Sequence, residues 1–231
     1  MTLEPAFSDA WFEIFAQPDD EITAREVAFL LDVLPPPPAT VLDVPCGFGR
    51  HAVALLGGGY DVTGVDFEQR AVAAARDAGA TAYELDMRSL PDLPGTFDAV
   101  ICMWASFGWF DDATNAALFA QLADKTARNS VLVVDVFDPI WFGAHQGPHT
   151  IERKGQVVEE HKRVTGSRLY TSLDYADGSR DDFSWQLYEP SELIALGQVA
   201  GLACESSCAG FEVGSTPCDE VARMQLVFRR P

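Results

Sequence analysis

The run Val41-Leu42-Asp43-Val44-Pro45-Cys46-Gly47-Phe48-Gly49-Arg50-His51-Ala52 decides how this chain is read. Its first four residues are short and mostly apolar, as in a buried strand, and apolar residues return at helical spacing over 50–56. A strand that passes through glycines into a helix presents backbone N–H groups at a helix N-terminus, where a nucleotide-like ligand packs. Gly47 and Gly49 allow close approach because no Cβ intrudes. By itself the loop leaves two readings open. Gly47-x-Gly49-x-x-Ala52 satisfies the dinucleotide-binding pattern, and Asp66 stands where an NAD-type ribose partner would.

Outward from the loop, strand and helix patterns alternate. Strands are expected over 60–65, 80–84, 97–103 and 131–137, with helices over 68–78 and 113–127. Alternation of this kind implies a parallel sheet with right-handed crossovers, and the apolar character of the strands implies helices on both faces. Upstream, 10–15 and 20–34 read as two helices; in the second, Ile22, Val27, Leu30, Leu31 and Leu34 fall at near-helical spacing. Pro35 to Pro38 then form a stiff connector. After Pro139 the period changes to two over 156–165, 168–175 and 183–188, with turn pairs Thr165-Gly166 and Asp177-Gly178, which predicts a small antiparallel insertion. A helix from Pro190 to Ala200 and strands over 202–210 and 221–229 complete the core.

Two features separate the readings of the loop. Asp43 puts a carboxylate just ahead of the glycines, where it would repel a pyrophosphate and attract a cationic amino-acid moiety, as in a sulfonium ligand. Asp86, after the third strand, joins Asp43 and Asp66 at the carboxyl edge of the sheet, where ligands of open sheets bind. A simple dinucleotide fingerprint has no use for that third acid. Each aspartate has a plainer explanation as a loop or helix cap.

Leu42-Asp-Val-Pro-Cys-Gly-Phe-Gly-Arg-His51 resembles the LDxxCGxGRH form of the first motif of class I methyltransferases. Val62-Thr-Gly-Val-Asp66, Asp86-Met-Arg88, Phe97-Asp-Ala-Val100, Ser106-Phe-Gly-Trp-Phe110 and Val131-Leu-Val-Val-Asp-Val136 resemble the later motifs in order. The resemblance runs from about Phe7 to Phe228 and is nearest to a bacterial small-molecule subgroup with an antiparallel insertion after the fifth strand. It implies a Rossmann-like α/β fold, seven strands in the order 3-2-1-4-5-7-6 with the last antiparallel, and S-adenosylmethionine as cofactor. It further implies a helical lid over 1–34, a core over 35–139 and 189–231, and an insertion over 140–188 above the acceptor site. By the same resemblance Asp43 and Gly47, Phe48 and Gly49 hold the methionine end, and Asp66 the ribose. Phe67 packs on adenine, Asp86 with Met87 meets its edge, Trp104 closes the pocket, and Arg50 and Met103 also contact the cofactor.

Methyl transfer from a sulfonium is an in-line displacement, so alignment and exclusion of water matter more than acid/base groups. An amine acceptor needs only to be neutral, whereas a hydroxyl benefits from a base. Candidates for that role are His145 and His149, in the connection to the insertion, and Asp135 in the fifth strand; His51 reads as structural. Aromatic density marks the expected acceptor wall: Trp11, Phe107, Trp109 and Trp141. Some related sugar N-methyltransferases carry histidine where Trp109 stands, and many relatives carry an arginine where Gln186 stands, so Gln186 is taken as an acceptor contact that has lost a preference for carboxylates.

The charge of −19 disfavours nucleic acid and anionic membranes as partners. His161, Lys162 and Arg163 with Arg168, the densest basic stretch, read as solvated positions on exposed strands. The five cysteines form no CxxC pair and no metal site, which fits a reducing cytoplasm. Neither a signal peptide in 1–9 nor a membrane-spanning run is legible. The expectation is a cytoplasmic enzyme that methylates N or O of a small molecule, with a homodimer as a possible assembly. The alternatives are an NAD(P)-dependent oxidoreductase using the same glycines, or a non-catalytic cofactor-binding module.

Overall fold

A computed structural model describes residues 7–16 and 18–231. Residues 1–6 of the expected lid, which make up most of the 1–9 stretch in which no signal peptide is legible, lie outside the described residues. Two helices open the chain, α1 (Asp9–Ile14) and α2 (Asp20–Val33). The core follows as β1 (Thr40–Asp43), α3 (Arg50–Gly57), β2 (Asp61–Asp66), α4 (Gln69–Asp77), β3 (Thr81–Glu84), β4 (Phe97–Cys102), α5 (Asp112–Lys125) and β5 (Thr126–Phe137). Next come α6 (Pro139–Ala144), β6 (Gly147–Arg153), β7 (Gln156–Thr165), β8 (Arg168–Tyr175) and β9 (Arg180–Gln186). The chain closes with α7 (Pro190–Val199), β10 (Ala203–Ala209) and β11 (Arg223–Arg229).

Seven strands form one sheet in the order β10-β11-β5-β4-β1-β2-β3, with β11 antiparallel to its neighbours β5 and β10 and the other pairs parallel. This is the expected 3-2-1-4-5-7-6 arrangement of a Rossmann-like α/β fold. Val41 and Leu42 in β1 and Val100 and Ile101 in β4 are fully buried because helices cover both faces. The second sheet, β6-β7-β8-β9, is antiparallel throughout.

Local differences from the sequence reading have identifiable causes. The predicted helix over 113–127 stops at Lys125, because Thr126 pairs with Phe97 and begins a twelve-residue β5. The insertion has four strands where three were expected: β6 begins with Gly147-Pro148, whose turn character hides it, and the stretch placed at 183–188 starts at Arg180. The short helix α6 was not foreseen; Asp138 caps it by accepting the Ile140 N–H at 2.8 Å. In α2, Leu31 is exposed while Glu26 is buried, so the inward stripe carries a charge in place of a leucine.

Candidate active site

Parallel strands place the ends of β1, β2 and β3 at one edge of the sheet. There the glycine loop turns with φ +51° at Gly47 and +81° at Gly49, values that suit residues without a Cβ. Gly49 has a second constraint: a Cβ would lie 2.8 Å from Cβ of Ala75, so α3 and α4 could not pack as they do. Asp66 anchors the loop, accepting the Gly47 N–H at 2.8 Å and the Glu68 N–H at 2.9 Å, one on each carboxylate oxygen. Burial raises its carboxyl pKa, opposed by those backbone donors. A carboxylate has about four lone-pair sites, so Asp66 keeps accepting capacity. Asp86 caps the next turn by accepting the Arg88 N–H and pairs with the Arg88 guanidinium, whose hydrogen bonds lower its pKa. The capping roles of Asp66 and Asp86 are therefore real, and both residues also face a cavity.

That cavity, about 430 Å³, runs without a break from the glycine loop to the insertion sheet. Of the residues expected to contact cofactor, Gly47, Phe48, Arg50, Asp66, Phe67, Asp86, Met87, Met103 and Trp104 line it. Gly49 lies behind the loop against α4, and Asp43 is wholly buried beneath it. Neither carboxylate oxygen of Asp43 has a hydrogen-bond partner, and burial pushes its pKa up to about 8 despite the Arg50 charge. A cation brought near would relieve that burial penalty. The cradle fits an adenosyl amino-acid sulfonium: a buried unmatched carboxylate, open space where a Gly47 side chain would project, an acid with spare acceptor sites, and the half-exposed ring of Phe67.

Beneath the cavity runs a buried ion network that sequence reasoning missed. Glu26 takes Arg50 at 2.5 Å, His51 at 2.8 Å and Arg223 at 2.6 Å. Burial would raise the Glu26 carboxyl, but the His51 hydrogen bond and the Arg223 and Arg50 charges outweigh it and hold it at about 2. Burial lowers the pKa of His51, opposed by its hydrogen bond to Glu26. Arg223 also pairs with Asp135, and Gln225 donates to Asp135 at 2.8 Å. Asp135 in turn accepts the N–H groups of Trp104 at 2.8 Å and Ala105 at 3.4 Å, two non-glycine residues with φ of +62° and +51°. Such backbone persists only where its surroundings enforce it. The Trp104 ring lies near both guanidiniums, with Cζ of Arg50 4.7 Å and Cζ of Arg223 4.6 Å from its centroid.

The far half of the cavity is aromatic. Trp11, Trp109 and Trp141 line it, joined by Phe183 and Trp185 of β9; the Trp109 and Trp185 ring centroids are 4.4 Å apart. Two expected acceptor contacts fall elsewhere. Phe107 packs into the core between Phe119 and Tyr188, because the chain reverses at Gly108, whose carbonyl accepts the Gln186 N–H at 2.7 Å. Gln186 directs its amide to Ser167 Oγ and to the Leu187 carbonyl.

None of the three candidate bases is among the residues that line the cavity. His145 stacks on Trp141 and contacts its carbonyl, Asp135 is the loop anchor, and His149 stands opposite Glu160 in the sheet register. The basic stretch also divides. His161 and Arg163 are solvated, but Lys162 is buried in the cavity wall against Glu160, and Arg168 holds the carbonyls of Trp109 and Phe110. Alternation across a strand with charges on both faces explains the misreading.

The sheet order, the glycine turn and the acidic strand ends define a Rossmann-like enzyme built around an adenosine-containing cofactor. Comparison with known proteins narrows the class. Residues 41–129 match the methyltransferase domain family. The chain is 30% identical to the dTDP-3-amino-3,4,6-trideoxy-alpha-D-glucopyranose N,N-dimethyltransferase of Streptomyces venezuelae, over 79% of this chain and 83% of that one. It is 26% identical to the glycine/sarcosine N-methyltransferase of Halorhodospira halochloris, over 75% and 68% respectively. The SAM-bound amino pentose methyltransferase of Micromonospora echinaspora shares the fold, with a TM-score of 0.71, 21% identity and coverage of 99% and 100%. The chain belongs to the class I S-adenosylmethionine-dependent methyltransferases. It is an enzyme, its cofactor is S-adenosylmethionine and its reaction is methyl transfer, which sets aside the oxidoreductase and the non-catalytic module. No helix among the described residues is long and apolar enough to cross a membrane.

Proposed function

We propose that this enzyme methylates the nitrogen of a small amine held in the aromatic half of the cavity, beneath α1 and the insertion sheet. The observation that carries the choice of nitrogen is the make-up of that wall. The histidines and the aspartate considered as bases do not line it, the carboxylate that does, Glu160, is engaged by the Lys162 ammonium at 2.8 Å, and a neutral amine is the acceptor that needs no base. When bound, S-adenosylmethionine supplies an electrophilic methyl group on sulfur. The chain's own residues hold and orient: Asp43, the loop from Gly47 to Gly49 and Arg50 take the amino-acid end, Asp66 the ribose, and Phe67, Asp86, Met87, Met103 and Trp104 the adenine. The aromatic wall excludes water from the reacting pair. Asp135 acts as a positioning residue through the Trp104 loop. Segments 1–34 and 140–188 are the lid and cover of this reading. Its setting is the reducing cytoplasm, consistent with five free cysteines, with no nucleic-acid partner and a homodimer as the assembly to test by light scattering.

The test is mass spectrometry of amine and hydroxyl acceptors incubated with enzyme and S-adenosylmethionine, beside calorimetry with S-adenosylhomocysteine. Amines gaining one methylene unit support the reading. Cofactor binding with methylation of hydroxyl compounds only overturns it. Within this frame Trp109→Leu should lower kcat/KM for the acceptor by about tenfold or more, ~1.4 kcal/mol of transition-state binding, while S-adenosylhomocysteine binding stays near wild type. The reverse pattern would move Trp109 to the cofactor half.

A pH dependence follows from Asp43. Its folded pKa of about 8 lies above the ordinary 3.8, so the free enzyme holds this proton at neutral pH. Stability from this group is therefore greatest at low pH and falls as pH rises from about 4 towards 8. A cationic ligand beside Asp43 expels the proton, so affinity should rise between pH 6 and 8, by no more than about tenfold per unit. Calorimetry in buffers of different ionisation enthalpy should show up to about one proton released. Asp43→Asn should abolish that release, and its persistence in the variant would count against the assignment.

A further inference from the structure

β7 directs Glu160 and Lys162, two positions apart, onto the face that lines the cavity. Their side chains are 15% and 9% exposed, and the carboxylate lies 2.8 Å from the ammonium. Across the sheet Lys162 stands opposite Thr171 of β8, also buried and also in the wall, and the Lys162 ammonium lies 4.9 Å from the Trp141 ring centroid. Around this polar patch the wall is aromatic and aliphatic.

Stability does not account for such a pair, because well-packed apolar residues in place of a buried ion pair are often neutral or stabilising. Its chemistry suits recognition. The ammonium carries three donors and the carboxylate about four lone-pair sites, so one 2.8 Å contact leaves both with capacity to spare. The charges cancel locally. An acceptor hydroxyl can donate to Glu160 and accept from Lys162, adding no charge to a desolvated wall. A carboxylate can reach Lys162 only by approaching Glu160, a like-charge contact in a low-dielectric site.

We propose that the Glu160–Lys162 pair, with the Thr171 hydroxyl, determines acceptor specificity: it reads a neutral hydroxyl on the amine and rejects amines bearing a free carboxylate. The inference rests on the N-methyl transfer reading. It separates this site from the need of any enzyme acting on glycine or sarcosine, whose acceptors carry a carboxylate.

The test uses probes that differ only in that group, phenylalaninol against phenylalanine and serinol against serine. Each is scored with the full chain as a substrate, or as a competitive inhibitor of whichever amine is turned over. Wild type should favour each amino alcohol over its acid by about tenfold or more. Glu160→Gln leaves Lys162 uncancelled and should shrink or invert that preference by about tenfold, while Lys162→Met should weaken alcohol binding and reject the acids further. S-adenosylhomocysteine affinity near wild type in both variants reports an intact fold and cofactor half. A wild-type preference for the acids overturns the inference, as does a ratio unchanged in both variants while S-adenosylhomocysteine still binds. Failure to methylate any amine, with S-adenosylhomocysteine bound, overturns the underlying reading and the inference with it.

Discussion

Replacing Asp135 with alanine should destabilise the protein by about 3–5 kcal/mol, the scale seen when one partner of a buried ion pair is removed. The residue is wholly buried and its carboxylate serves four groups: Arg223, Gln225 and the N–H groups of Trp104 and Ala105. Without it the Arg223 charge keeps Glu26 as its carboxylate partner, and the positive-φ turn at Trp104 and Ala105 loses what enforces it. Chemical denaturation read by tryptophan fluorescence checks the first effect. Calorimetry under conditions where the variant is folded checks the second, a fall in S-adenosylhomocysteine affinity as Trp104 loses its place. Asp135→Asn keeps the shape but cannot neutralise Arg223, so its loss should be smaller and in the same direction. A variant as stable as wild type would show that Arg223 and the turn are held by something other than Asp135.

The second large effect is expected at Asp66. Asp66→Ala should weaken S-adenosylhomocysteine binding about 100-fold, since a hydrogen bond to a charged group contributes ~1.5–3 kcal/mol and the ribose offers two hydroxyls. Because Asp66 also anchors the N–H groups of Gly47 and Glu68, part of the loss will come through the glycine loop. Asp66→Asn separates the contributions. It retains one carbonyl acceptor and should recover part of the affinity, whereas the alanine variant should also lower the melting temperature. Unchanged affinity in the alanine variant would remove Asp66 from the ribose site.

Much of the core was legible because its signals are local. Buried strands, a glycine turn and an acid at each strand end occupy neighbouring positions in the chain, and parallel topology brings those ends to one edge. The aromatic wall was half legible. Density of Trp and Phe after β4 marks the region, but whether a ring turns to the cavity, as at Trp109, or into the core, as at Phe107, depends on the reversal at Gly108. The polar patch of the insertion was misread for a different reason. Along β7 the inward residues Val158, Glu160, Lys162 and Val164 match the outward Val157, Glu159, His161 and Arg163 closely in character, so alternation does not say which set is buried. Glu26 left one usable signal, a carboxylate inside the apolar stripe of α2. Its partners Arg50, His51 and Arg223 could not be read at all, Arg223 least, since pairing between distant positions leaves no periodicity.

That pairing bears on how the protein is made. Glu26 and Arg223 are 197 positions apart, and Arg223 lies on β11, which leaves the ribosome after β1 to β10. Until β11 inserts beside β5, the acids at positions 26 and 135 lack the guanidinium they share, and the turn that presents Trp104 lacks its full support. The matched region 41–129 contains the glycine loop but neither of these acids nor Arg223. Nascent chains short of β11 should therefore be unable to capture cofactor.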